Sequence, residues 1–324
     1  MSSFRARTQN ALRQYDTLVM FLVFALASGI LTNGMWFDPE NLVNVVSRVS
    51  VVGVLVLAQT LVLLSGQIDM SLGNFLGLFC GVYAVLFLGG QSSPVAFAVA
   101  LSVILCLGFV NGILASRTTI PSFVITLGTM MIALSMHLYI IGAARYVPQL
   151  RDMIYGVLEP IPKARELFPV SLWIGAFVLL YFVLRFTKFG KHLYAVGGSQ
   201  RTAIITGVSV KTVKFSVYVL SALLVGLASF IYIYKFSFIS PSTGGTYLLD
   251  SIAAPIIGGV SLFGGRGVLW KALVGAIFLE TLTNFLRLAG VNAFVFPAVQ
   301  ATIIAVGVII SILTTPYYLR RRDM

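Results

Sequence analysis

The sequence predicts an all-α polytopic membrane protein of about ten transmembrane helices, with both termini in the cytosol. Three observations carry this. Of 324 residues, 58% are hydrophobic and 10% charged, with a mean hydropathy of +0.98. A soluble domain of this size is about a quarter charged. Apolar runs near the ~20 residues that a bilayer requires recur along the whole chain. Lys and Arg are shared unevenly between alternate polar segments. Fifteen fall on the side of the termini (Arg5, Arg7, Arg13, Arg117, Arg185, Lys188, Lys191, Arg201, Lys211, Lys214, Arg266, Lys271, Arg320, Arg321, Arg322). Seven fall on the other (Arg48, Arg145, Arg151, Lys163, Arg165, Lys235, Arg287). The positive-inside rule favours that orientation over its mirror image.

The elements follow in order. The first span covers about residues 17–32, after a basic N-terminal segment. Ala25-Leu26-Ala27 faintly resembles a cleavage site, but the spans that follow favour an uncleaved first helix. A short acidic loop, 33–41, leads into the second span, 42–64, where Arg48 is placed to snorkel toward headgroups. A polar knot at 65–74 precedes the third span, 75–88, and a turn at 89–94 precedes the fourth, 95–115. Pro121 opens the fifth, which runs to 141. A polar stretch of both charge signs, 143–169, contains an amphipathic segment at 150–158. The sixth span is 170–184, the seventh 215–234. A Pro-, Gly- and Ser-rich loop, 237–247, leads to a short eighth segment, 248–263, broken by Pro255 and by Gly258-Gly259. Gly264 to Gly267 form a tight turn before the ninth span, 268–288, and the tenth is 294–313.

Between the sixth and seventh spans lies the longest basic interruption, 186–214, with five Lys and Arg and no acid. Gly197-Gly198 and Ser199 can end one element and cap the next. A short helix from about 200 to 206, closed by Gly207, fits the start and stop signals. Such a helix is either a docking lever or a solvated connector.

A net charge of +12 would suggest nucleic acid in a soluble protein. Here orientation and anionic headgroups account for it, and no nucleic-acid partner is expected. Cys80 and Cys106 read as packing residues within spans, and His137 and His192 are too few for a His-based metal site. No phosphate loop, HExxH, cysteine cluster or nucleophile elbow occurs, so no catalytic residues and no cofactor are assigned to this chain.

SGQIDMSLGN (65–74) sets Asp69 between two hydrophobic runs. A charge at membrane depth costs on the order of 3 kcal/mol. Asp69 therefore belongs either to a broken helix beside a path or to a loop at the cytosolic face, where it caps a helix. Span counting favours the loop. Gly73, Gly77 and Gly81 recur every four residues and make a smooth face for close helix approach within the chain. Gln59, Asn111, Asn284 and Gln300 are lone polar residues in spans, each either lining a wet path or bonding a neighbouring helix. Glu280 is the other intramembrane acid, with Lys271 and Arg287 about two turns away, too far to pair locally.

Four stretches together resemble one family, the permeases of ribose, xylose and galactoside-type ABC importers. They are SGQIDMSLGN, PSFVITLGTM (121–130), FGKHLYAVGGSQRTAIITGVSV and LLDSIAAPIIGGVSLFGGRG (248–267). The chain departs from the family pattern at Gln67, at Ser199-Gln200-Arg201 and at Pro255. The resemblance implies a type II-like permease, one domain over 1–324. Its cytosolic parts are 1–16, a coupling loop 186–214 and a tail 315–324. It implies ATPase coupling through Gly197, Gly198, Ser199, Gln200, Arg201, Thr202, Ala203 and Gly207. Translocation-path candidates are Gln59, Asp69, Ser71, Asn74, Asn111, Ser122, Thr126 and Asn284. Gly73, Asp250, Gly258, Gly259, Gly264, Gly265 and Gly267 fall in the structural motifs.

The same resemblance implies a bacterial inner-membrane location, a cytosolic ABC ATPase holding ATP and Mg²⁺, a periplasmic solute-binding protein and a second permease subunit. A monosaccharide is the implied cargo, with a nucleoside, signalling sugar or polyol as alternatives. A gradient-driven transporter built on Glu280 is the competing class, and a scaffold without transport a third.

Overall fold

The computed structural model describes residues 2–147 and 164–314; the segment read at 150–158 and the tail 315–324 lie outside the described residues. The described chain is nearly all helical. The helices are α1 (Ser2–Leu31), α2 (Pro39–Leu64), α3 (Leu72–Leu88), α4 (Ser93–Arg117), α5 (Ser122–Ile141), α6 (Ala164–Phe186), α7 (Lys188–Gly198), α8 (Gln200–Ile205), α9 (Val210–Phe236), α10 (Tyr247–Ile257), α11 (Leu269–Leu288) and α12 (Phe296–Thr314). Among the described residues six helices are long and apolar enough to cross a membrane: α2, α4, α5, α9, α11 and the Glu166–Phe186 part of α6. Thr17–Leu31, α3 and α10 are apolar but shorter.

Helix α2 is the hub. Its second half is apolar on every side and fully buried from Val54 to Leu64, the pattern of a helix enclosed by others. It packs against α6, α9, α10 and α11. Its start is set by Asp38, whose side chain accepts from Glu40 N at 2.8 Å, and by Pro39 in the first turn. By contrast α1 and α6 leave wide apolar faces outward, Ile30, Leu31, Val178 and Leu179 among them, as lipid contact requires.

Three elements differ from expectation. Residues 188–198, left unassigned, form α7, with Gly190, Leu193 and Val196 turned inward at three-residue spacing. Pro255 does not kink a longer helix: α10 stops two residues later at Ile257, and Val260 N bonds Pro255 O to close the turn. The smooth Gly73, Gly77, Gly81 face receives a loop at Gly73 and Gly77 and, at Gly81, the His137 side chain of α5, which packs against α3. A Cβ at Gly73 or Gly77 would strike the backbone of Gly244 or Thr243, and one at Gly81 would sit 2.7 Å from His137 Nδ1. The 237–246 loop thus folds back onto α3. It is held by a bond between His137 Nε2 and Ser240 O (2.9 Å) and by a two-residue antiparallel ladder, Arg145–Tyr146 with Phe238–Ile239.

Candidate functional site

Three polar features lie along the bundle. At one end, α7 and α8 form a bent lever. Ser199 caps α8, its Oγ accepting from Thr202 N at 3.2 Å, and the helix closes at Gly207 with φ +79°. Ala203 is buried against the bundle, whereas Gln200, Arg201, Thr202, Ile204 and Ile205 face outward. Side chains of Ile that exposed (63% and 78%) leave the tip of α8 apolar and uncovered within this chain.

The lever rests on a junction made of backbone alone. A Cβ on Gly197 would run into Leu64 O and Gly265 N. One on Gly264 would lie 2.5 Å from Gly66 Cα and 2.8 Å from Gly197 O, and one on Gly265 2.5 Å from Gly198 Cα. Gly265 N donates to Leu64 O at 3.0 Å. The ends of α2 and α7 and the turn before α11 therefore meet with no side chain between them. Tyr194 Oη donates to Gly267 O at 3.0 Å beside it, and burial pushes that phenol's pKa up. Sequence reasoning placed Gly197 and Gly264–Gly265 in separate motifs; their contact is the missing link. Gly258 and Gly259 do other work: a Cβ at Gly258 would strike Lys271 O at the start of α11, and Gly259 carries φ +79° in open space.

Beyond Leu64 the chain runs as non-helical backbone inside protein, the one setting in which a bilayer tolerates it. Asp69 is 1% exposed. As the capping alternative expects, the carboxylate bonds the start of α3, and it does so from a buried position. Asp69 Oδ1 accepts from Ser71 N at 2.8 Å and from Ser71 Oγ. Asn111 Nδ2 donates to Ser71 Oγ (3.3 Å), and Thr129 Oγ1 to Asn111 Oδ1 (2.8 Å). The strand-like stretch is pinned to α5, Ile68 N donating to Ser122 Oγ (3.1 Å) and Met70 N to Thr126 Oγ1 (3.0 Å). Five predicted path residues, Asp69, Ser71, Asn111, Ser122 and Thr126, thus form one network, with Asn74 buried in the adjoining turn of α3. Gln59 stays apart, fully buried in α2, neither amide atom having a partner among the described residues.

At the opposite end of the bundle α2, α10, α11 and α12 surround a cavity of about 220 Å³, lined by Arg48, Asp250, Glu280, Thr283, Arg287 and Gln300 among others. Arg48, expected to snorkel outward, points into this cavity instead. Arg287, judged too distant from Glu280 along the helix, shares the space with it. The signal available in sequence was that every one of these charges lies in an apolar segment. Asn284 is not part of either site: it exchanges hydrogen bonds with Asn41 at 2.8 and 3.2 Å.

Comparison with known proteins identifies relatives of the chain. The protein family described as branched-chain amino acid transport system / permease component matches residues 41–313. The chain is 31% identical to the ribose import permease protein of Bacillus subtilis over 90% of both chains. It is 31% identical to the fructose import permease protein of Rhizobium meliloti, covering 91% of this chain and 82% of that one. It is 28% identical to the autoinducer 2 import system permease protein of Photorhabdus luminescens, covering 87% and 84%. No solved structure matches the chain significantly.

Proposed function

The chain belongs to the branched-chain amino acid transport system / permease component family, and from that premise we propose that it is the membrane-spanning permease subunit of an ATP-driven bacterial importer, forming the path for a monosaccharide or similar small polar solute. The single observation that supports the coupling most directly is the junction of Gly66, Gly197, Gly264 and Gly265. Through it, a push on α8 reaches the end of α2 and the 65–71 backbone with no compressible side chain between.

In this reading the chain crosses the inner membrane about ten times, with both termini and α8 in the cytosol. A separate ATPase binds and hydrolyses ATP with Mg²⁺, a division of labour that fits the missing phosphate loop. Its closure moves α8, which carries Arg201, Ile204 and Ile205 outward as the docking surface. The motion passes through α7 into α2 and the Asp69 network and opens the path to a periplasmic binding protein. A second permease subunit completes the path. The names of two of the relatives above, ribose and fructose import permeases, support a monosaccharide as cargo.

The test is uptake of labelled D-ribose and D-fructose by cells carrying the permease and its partners. Uptake stops on ATP depletion and survives collapse of the proton gradient. The reverse pattern would move the assignment to gradient-driven transport centred on Glu280.

A further inference from the structure

The cavity at the end of the bundle opposite α8 is not used by the coupling mechanism above. Its charges come from three helices. Arg48 sits about nine residues into α2, Asp250 in the first turn of α10, and Glu280 and Arg287 two turns apart on α11. Lys235 stands nearby, its Nζ bonding Ser47 Oγ at 2.7 Å. Charges placed in membrane-depth segments are costly and mark solute pathways. Two guanidinium groups and two carboxylates line the cavity with the Lys235 ammonium beside them, so an ion of either sign meets like charge. An anion would face Asp250 and Glu280; a cation would face Arg48 and Arg287.

Glu280 Oε1 is shielded from solvent and has no hydrogen-bond partner among the described residues. Because Glu280 lines the cavity, a turn of its carboxyl group would bring this unsatisfied acceptor to a donor held there. A hydroxyl group answers both halves of the lining, donating to a carboxylate oxygen and accepting from a guanidinium. Thr283 and Gln300 add neutral polar groups beside the acids. The volume of about 220 Å³ lies below the roughly 300 Å³ at which pockets for drug-sized ligands begin. It suits a small solute. We propose that this cavity is a binding subsite for a neutral polyhydroxylated solute, with Glu280 and Asp250 accepting from its hydroxyls and Arg48 and Arg287 donating to them. This rests on the permease reading and names where the solute pauses before or during passage.

The test uses the purified full-length permease in lipid nanodiscs, with D-ribose, D-fructose and 2-deoxy-D-ribose as probes and saturation-transfer NMR as readout. Wild type gives saturable transfer to D-ribose or D-fructose. Glu280→Gln raises the half-saturating concentration about tenfold, the size of one hydrogen bond to a charged group. Asp250→Asn acts in the same direction. The preference for D-ribose over its 2-deoxy analogue shrinks in at least one of these variants, which a purely structural ion cluster would not cause. If Glu280→Gln fails to insert, Thr283→Val carries the test: it exchanges for a methyl a hydroxyl that donates to Leu279 O and accepts from Gln300 Nε2 at the cavity wall.

No saturable transfer in wild type, or half-saturation unchanged in all three variants, overturns the proposal. The two readings fail separately. Uptake that is ATP-dependent without sugar binding in this cavity removes the subsite and keeps the permease. Uptake indifferent to ATP removes the ABC assignment whatever the NMR shows.

Discussion

Two regions of this protein bury ionisable groups among apolar helices, and they do it in opposite ways. The Asp69 network is the more fully bonded: Asp69 Oδ1 is met by Ser71, Ser71 by Asn111, and Asn111 by Thr129. The charged cavity is open, about 220 Å³ lined by Glu280 among others, and Glu280 Oε1 has no hydrogen-bond partner among the described residues. Burial of a polar residue does not by itself mark a solute path. What separates a pin from a site is whether the hydrogen-bonding capacity is already used. The network sits one loop beyond the glycine junction and reads as the part of the machine that must stay rigid. The cavity reads as the part that receives something.

The comparison breaks most clearly at Asp69. Asp69→Ala removes the acceptor for both Ser71 bonds and leaves Ser71 N buried. The expected loss is about 3 kcal/mol, from hydrogen bonds to a charged group and an unsatisfied donor. Thermal unfolding of the detergent-solubilised protein, followed by size exclusion, reads it. Glu280→Gln in the same assay shifts stability less, because its Oε1 has no hydrogen bond to lose and the change removes only the carboxylate's attraction to the neighbouring cations. Equal destabilisation by the two variants would erase the distinction between pin and site.

The link between the lever and the pin is tested next. Gly197→Ala forces a methyl onto Leu64 O and Gly265 N, both backbone atoms that cannot swing aside. It costs about 1–3 kcal/mol as overpacking, and ATP hydrolysis by the assembled transporter proceeds with little uptake. Gly198→Ala, one residue on, meets nothing within 4 Å and stays within about 0.5 kcal/mol of wild type. Matching uptake in the two variants would show that the junction does not transmit.

Gly207 sharpens the same point on a smaller scale. Its φ of +79° lies in the left-handed region, yet a Cβ there would meet open space. The obstacle is conformational, about 1–2 kcal/mol for any L side chain. Gly207→Ala and Gly207→Trp therefore impair uptake to a similar degree, with Gly207→Asn milder. An effect that grew with side-chain size would point to a partner pressed against this turn.

The local parts of this design are legible in the sequence. Ser199 as a cap, Gly207 as a stop and a helix between them depend only on neighbours along the chain, and α8 forms where those signals place it. The apolar runs are legible for the same reason. What escaped is whatever depends on which segments meet. The depth of Asp69 is set by the α5 residues Ser122 and Thr126, some 54 and 56 positions away, which draw residues 68–70 into the bundle. Arg48 turned inward because α10 and α11 bring Asp250 and Glu280 to it. The backbone contact of Gly197 with Gly265 joins two motifs that the sequence presents as unrelated. Helix α7 was within reach: Gly190, Leu193 and Val196 mark its buried face.

Asn284 gives the smallest predicted effect and the finest test of the contrast. Sequence reasoning set it among the path residues, but its amide exchanges two hydrogen bonds with Asn41 and so behaves like the Asp69 pin in miniature. Asn284→Ala leaves a half-buried Asn41 whose other bond, to Trp36 O at 2.9 Å, survives. Interhelical side-chain bonds in membranes average about 0.6 kcal/mol, so unfolding shifts by about that much and uptake stays near wild type. Asn41→Ala with Asn284→Ala is then no worse than Asn41→Ala alone, which already loses the shared bonds and the one to Trp36 O. A tenfold fall in uptake from Asn284→Ala, with stability preserved, would instead return this residue to the path.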